Sequence, residues 1–171
     1  MTQPETQPRR IVLMRHAHSG AAAPGQRDFD RTLSDAGFDE AEMVADRAAD
    51  KGFRPDLLLS STAVRCRQTA ELLHRAFGET TELRFVDGLY NGALTTYLQL
   101  LMAQQDHACV LLLGHNPAIE ETLLALAGLD AMQAVVSGGY PTAGLAVLDR
   151  RNEADRNGVD WTLTDFLTSR R

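Results

Sequence analysis

The chain has 171 residues, 44% of them hydrophobic and 23% charged, and carries a formal net charge of −6. That length suits one domain with a real core, and the acidic balance argues against a nucleic-acid partner. No stretch is long and apolar enough to span a membrane, and the two cysteines, Cys66 and Cys109, make no disulfide framework and read as reduced core residues.

Met1 to Arg9 is polar and contains proline, so it reads as a loose tail (1–9) before a single domain (10–171), with nothing resembling a secretory core; the expected location is cytoplasmic. The run Arg10-Ile11-Val12-Leu13-Met14-Arg15-His16 then passes abruptly from apolar to charged. A buried parallel strand delivers side chains to the carboxyl edge of a sheet in this way. Arg15 supplies a planar fork of donors suited to phosphate, and His16 supplies a nitrogen able to attack. Ser19 to Asp35 is rich in Gly, Ala, Pro and Asp and reads as a loop. Ser34 is placed to cap a helix running to about Lys51, with Ala41, Val44, Ala45 and Ala48 on its apolar face and Gly52 as its stop.

Leu57-Leu58-Leu59 reads as a second buried strand, and a helix follows from Ala63 to about Phe77. A third strand is expected near Leu83 to Val86, a turn over Asp87 to Gly92, and a helix over Thr95 to Gln104. Cys109 to Leu113 is the clearest strand. It breaks at Gly114-His115-Asn116-Pro117, where Asn116 suits an N-cap and Pro117 a first helical position, before a helix from Ala118 that ends before Gly128. Val135 to Thr142 reads as a loop. Gly144 to Leu148 and Trp161 to Phe166, joined by the polar stretch Asp149 to Gly158, read as a hairpin at one sheet edge. The alternation predicts an α/β fold with a mainly parallel sheet.

Three strands therefore end in polar residues at equivalent places: Arg15-His16, Ser60-Ser61 with Arg65, and His115-Asn116. Parallel strands bring such ends to one crevice. Arg65 falls in the first turn of its helix, where an anion is favoured. Two arginines, two histidines and two helix starts make a site for a dianion, and phosphate is the obvious guest.

The same residues carry a resemblance. Arg15-His16-Ala17 resembles the Arg-His-Gly signature of the histidine phosphatase superfamily, and the stretch from Ser61 to Ala70 (Ser-Thr-Ala-Val-Arg-Cys-Arg-Gln-Thr-Ala) resembles its Ser-Pro-x-x-Arg-Ala-x-Gln-Thr-Ala motif. Gly114-His115-Asn116-Pro117 is similar to its second-histidine motif. Asp28 to Leu33, Leu89-Tyr90-Asn91 and the short length look most like the small SixA-type branch, associated with phosphohistidine phosphatase activity. Where the sequence departs from the pattern, Thr62 is expected to cap the helix still. Ala17 stands where a glycine is usual, and Cys66 adds a little volume where alanine is usual; neither is expected to touch a reacting group.

The resemblance implies a three-layer α/β/α fold like that of phosphoglycerate mutases. It also implies a metal-independent, cofactor-free phosphatase with His16 as nucleophile and a phosphohistidine intermediate. Arg15, Arg65 and, if protonated, His115 hold the phosphoryl oxygens. His18 is placed at the rim of the phosphate site. The His16-x-His18 pair is a poor metal site because no further ligand set accompanies it. Larger relatives use an acid after the third strand, which makes Asp87 the candidate proton donor, with Tyr90 a weaker one and more readily a packing aromatic. Asp28, Asp30 and Arg31 read as rim or solvated residues, and Arg67 as pointing away into an ion pair. The expected substrate is a phosphorylated protein, with a small phosphomonoester as the alternative. A mutase and a non-catalytic phosphate-binding module are the further rivals. No nucleic-acid or membrane partner is expected, and no feature specifies an oligomeric state.

Overall fold

The computed structural model describes residues 8–151 and 160–170. Most of the expected tail and of the polar connection before the last strand thus lies outside the described residues. Arg9 is already tied in, its N–H donating to Ala108 O at 2.8 Å and its carbonyl accepting from Arg150 N at 2.9 Å.

Six strands form one sheet: β1 (Arg10–Arg15), β2 (Leu57–Ser61), β3 (Glu82–Val86), β4 (Cys109–Gly114), β5 (Leu145–Arg150) and β6 (Trp161–Leu167). Their order is β3-β2-β4-β1-β5-β6. The pairings β3-β2, β2-β4 and β4-β1 are parallel, while β5 runs antiparallel to both β1 and β6. The hairpin expected at one edge is therefore present, and the sheet is mainly parallel.

Among the described residues five α-helices cover the two faces: α1 (Asp35–Asp50), α2 (Val64–Phe77), α3 (Leu94–Met102), α4 (Ala118–Ala127) and α5 (Leu129–Val135). Side chains alternate across a strand, so Ile11 and Leu13 pack with Tyr97, Leu101, Ile119 and Leu123 of α3 and α4. Val12 and Met14 pack on the opposite face with Val44, Ala48, Ala70 and Leu73 of α1 and α2. The continuous apolar runs of β1, β2 and β4 are what a strand buried on both faces requires, and the result is a three-layer α/β/α arrangement.

Ser34 caps α1 as expected, its hydroxyl accepting from Gly37 N at 3.0 Å. Two local expectations are corrected. Asn116 does not cap α4: Pro117 holds the cap position and Asn116 Oδ1 is buried without a partner. Thr62 does not cap α2 either, because Ala63 occupies that position and Thr62 Oγ1 is also buried without a partner. After Gly128 the chain turns back into helix at α5, over a stretch for which no element is expected from the sequence. Gly128 adopts φ +89° there, and that break separates α5 from α4.

Candidate functional site

Register decides the site. Arg15 of β1 lies directly beside Gly114 of β4, and Ser60 of β2 beside Leu113. The next residues along three adjacent parallel strands are thus His16, His115 and Ser61, all at one sheet edge. His16 N–H donates to Gly114 O at 3.1 Å. The His16 and His115 rings stand 5.3 Å apart between centroids, tilted by 58°. Arg65 enters from the first turn of α2 and reaches His115 Nδ1 with its Nη2 at 3.4 Å. The four residues singled out from the sequence are therefore neighbours in space.

Hydrogen bonding sets the state of each ring. His16 Nδ1 lies 2.7 Å from Ala17 O. A carbonyl only accepts, so Nδ1 carries the proton and Nε2 keeps its lone pair. His16 is buried, and that burial, reinforced by the charges of Arg65 and Arg15, lowers its pKa to about 3. A neutral ring with a free Nε2 lone pair is the form a nucleophile needs.

His115 is held the opposite way. Its Nδ1 faces Arg65, which only donates, so the lone pair sits on Nδ1 and Nε2–H donates to Ser61 Oγ at 2.8 Å. Burial first, then Arg65, lowers its pKa to about 4. In this state His115 is a neutral ring and not yet the cationic donor of the expectation above.

The two guanidiniums differ in their commitments. Arg15 Nη1 donates to Tyr140 O at 2.7 Å, while its Nε is buried with no partner. Burial lowers its pKa from the ordinary arginine value, opposed by Glu120 and Glu40; it stays a cation. Arg65, only 7% exposed, is held by Asp28: Nη1 donates to Asp28 O at 2.8 Å and Nη2 to Asp28 Oδ2 at 3.1 Å. Asp28 Oδ2 also accepts from Tyr90 OH at 2.7 Å, and Oδ1 from Arg31 at 3.0 Å. The Tyr90 hydrogen bond, then those from Arg31 and Arg65, hold the Asp28 carboxyl well below the usual carboxylate range.

A cavity of about 360 Å³ opens over this edge, lined by Arg15, His16, His18, Ser19, Arg31, Arg65, Asn116 and Thr142. His18 is thus among its lining residues, with Nδ1 2.7 Å from Ser34 Oγ. Two helices, α2 and α4, start at this edge without a side-chain cap, a setting favourable to an anion. An anion entering here meets an unpartnered Arg15 Nε and a desolvated Arg65. Among the described residues no group of three or more His, Cys, Asp or Glu side chains could hold a metal ion.

Other expectations need revision. Tyr90 does more than pack: it bonds Asp28 and stands edge-on to His115 with centroids 5.6 Å apart. Asp28 is a partner of the Arg65 guanidinium, whereas Asp30 pairs with Arg27 at 2.8 Å. Arg67 forms no ion pair among the described residues; its Nε donates to Thr62 O at 2.7 Å and its guanidinium stacks over Phe85. Cys66 does touch the cluster, with Sγ 3.5 Å from His115 Nε2, because the second and third residues of α2 both face this edge. Cys109 is only half-buried. Ala17 keeps an ordinary negative φ, since Ala143 alone among the described non-glycine residues is left-handed, so the missing glycine costs nothing. Asp87 opens the 3-10 turn (Asp87–Leu89) after β3 and is exposed.

Known proteins share this architecture. A sequence model of the histidine phosphatase superfamily (branch 1) matches residues 11–95. A crystal structure from Agrobacterium tumefaciens, assigned as a phosphohistidine phosphatase SixA, is 51% identical, with a TM-score of 0.86 over 94% of this chain and 97% of that one. The protein histidine phosphatase SixA complexed with tungstate shares the fold at 21% identity, with a TM-score of 0.71 over 94% of this chain and 97% of that one. Rv1276c of Mycobacterium tuberculosis is 34% identical over 140 residues, which are 79% of this chain and 85% of that protein. A chloroplast protein of Arabidopsis thaliana is 32% identical over 130 residues, and the match covers 70% of this chain and 60% of the plant protein's length. With the family model, the half-identical neighbour and the shared phosphoglycerate mutase-like fold in agreement, the chain belongs to the SixA-type branch of the histidine phosphatase superfamily, a branch of phosphatases.

Proposed function

We propose that the protein hydrolyses a phosphorylated histidine on a partner protein, through a covalent phosphohistidine formed on His16 and without a metal. The observation that carries this reading is the His16 tautomer: Nδ1–H is tied to Ala17 O, so Nε2 presents a lone pair in a cavity lined by two guanidiniums.

The chemistry follows from those groups. The phosphoryl oxygens take the donors of Arg15 and Arg65. His16 Nε2 forms a bond to phosphorus as the bond from phosphorus to the leaving nitrogen breaks, and the leaving imidazole takes up a proton. Water then attacks the phosphorylated His16, releasing inorganic phosphate and restoring the Nε2 lone pair. Arrival of the dianion draws Arg65 from His115 Nδ1 and lets that nitrogen take a proton and donate to a phosphoryl oxygen. Positive charge supplied by side chains does the work a metal does elsewhere.

The proton donor is assigned to Asp87, by its place after β3. Tyr90 suits the role poorly, because its hydroxyl proton is already given to Asp28. A leaving imidazole needs less acid assistance than an alkoxide, which fits the exposed position of Asp87. A small phosphomonoester is the second reading, since the same donors would hold any phosphoryl group.

The test is turnover of a phosphohistidine protein and of chromogenic phosphates in chelator, with the unaltered protein and His16→Ala. Removal of the nucleophile is expected to lower turnover by about 10³-fold or more, and an alkaline quench should trap label from the substrate on the unaltered protein only. Retained turnover or labelling in the variant would overturn the nucleophile. A strong preference for small esters would overturn the substrate.

A further inference from the structure

The geometry points to Ser61 as a positioning residue that fixes the tautomer of His115, so that Nδ1 and not Nε2 faces the phosphoryl group. This rests on the reading of His115 as an oxyanion donor given above. Ser61 ends β2, is fully buried, and its hydroxyl cannot reach solvent. A serine oxygen has two lone pairs and one proton. One lone pair takes His115 Nε2–H at 2.8 Å and the other takes Ala63 N–H at 3.2 Å. Cys66 lies against the same group, its Sγ 3.5 Å from His115 Nε2, and burial keeps its thiol un-ionised. With the Arg65 donor at Nδ1 leaving the ring proton on Nε2, the oxygen accepts toward His115.

The opposite tautomer fails at Arg65. With the proton on Nδ1, the ring would point an N–H at the Arg65 Nη2 donor 3.4 Å away, and the Ser61 hydroxyl would have to turn its proton to Nε2 to keep a bond there. The ring cannot turn freely to escape. It lies between His16 and Tyr90, and its own backbone N–H is held by Tyr97 OH at 3.0 Å. The acceptor at Nε2 serves a second purpose. When His115 gains a proton at Nδ1, the Nε2–H bond to Ser61 becomes charge-assisted and favours the cation. The charged groups facing His115 are Arg65 from α2, Asp28 from the 3-10 turn (Asp28–Asp30) and Arg15 from β1, beside neutral His16.

The experiment reads the ring directly. Nitrogen-15 NMR of the ligand-free protein is expected to show His115 as a single Nε2–H tautomer. In Ser61→Ala that signature should be lost, kcat/KM should fall about tenfold to a hundredfold, and the alkaline limb of its pH profile should move to lower pH. Ser61→Thr, which keeps the hydroxyl, should restore both tautomer and limb. Ser61→Cys, near in size but a poor acceptor, should behave as the alanine variant and serves if that one does not fold. An unchanged Nε2–H tautomer in the alanine or cysteine variant overturns the proposal. So does a fall in activity with the pH profile unmoved. Because the tautomer is read without substrate, its outcome stands whether or not the phosphohistidine reading survives.

Discussion

Two buried imidazoles sit within 5.3 Å of one another and both remain neutral at physiological pH, which makes them a stability device as well as a chemical one. Burial is the largest cause in each case, lowering His16 to about 3 and His115 to about 4. In the unfolded chain both titrate near the ordinary histidine value of about 6.5. Below that pH the unfolded chain binds protons that the folded one refuses, so stability falls as pH falls. The contribution is complete above about pH 6.5 and is withdrawn from there down to about pH 4 for His115 and about pH 3 for His16, at up to ~1.4 kcal/mol per pH unit for each ring. Urea melts across that window should show the slope, and His115→Gln should remove part of it. An equal slope in the variant would mean that other groups carry the acid sensitivity. At this scale the gathering of Arg15, His16, Arg65 and His115 at one sheet edge is legible in the sequence, because strand ends and helix starts advertise such residues, while their part in catalysis stays a proposal. Asp28, Tyr90 and Ser61 were undervalued. Their significance lies in partners 37, 62 and 54 positions away, and no local pattern encodes those distances.

Helices and strands dock through close approaches that admit no extra atom. Gly114 at the end of β4 is the sharpest case: a Cβ there would lie 2.4 Å from Tyr97 Oη of α3. The same hydroxyl accepts from His115 N at 3.0 Å and donates to Leu89 O at 3.0 Å. Gly114 therefore lets α3 sit close enough to hold the backbone of the second histidine. Gly114→Ala should cost about 1–3 kcal/mol through overpacking and lower kcat/KM by displacing His115. Thermal melts and kinetics on the same preparation would check both; an alanine variant with unchanged turnover would show that Tyr97 does not position the histidine. Element types and approximate bounds followed from hydrophobic period and from Gly and Pro punctuation. Caps followed less well. Ser34 works because its hydroxyl faces its own helix, whereas Asn116 turns its carbonyl oxygen into the interior and Thr62 is buried beside a helix that starts one residue later.

Across the whole molecule, the burial of β1, β2 and β4 on both faces dominates stability, and surface charge adds little. Leu112 of β4 is fully buried in the α3-α4 layer, so Leu112→Ala should cost about 2–5 kcal/mol. For a chain of this size that lowers Tm by about 2–4 °C per kcal/mol. Arg10 and Asp149 join β1 to β5 through bonds of 2.7 and 3.0 Å, yet each side chain is 36% exposed. Solvent screening limits Arg10→Ala to about 1 kcal/mol or less. Comparable losses in the two variants, measured by chemical denaturation, would refute this ranking.

Local chemistry in the chain was enough to announce a parallel α/β sheet, the strand ends that carry polar groups, and the anion those groups suit, since periodicity and punctuation act over a few residues. The order β3-β2-β4-β1, the register that sets His16 beside His115, and the hydrogen bonds that choose which nitrogen of each ring holds the proton were decided only in three dimensions. Those features depend on which strand finds which neighbour, and on donors and acceptors supplied by segments far apart in the chain.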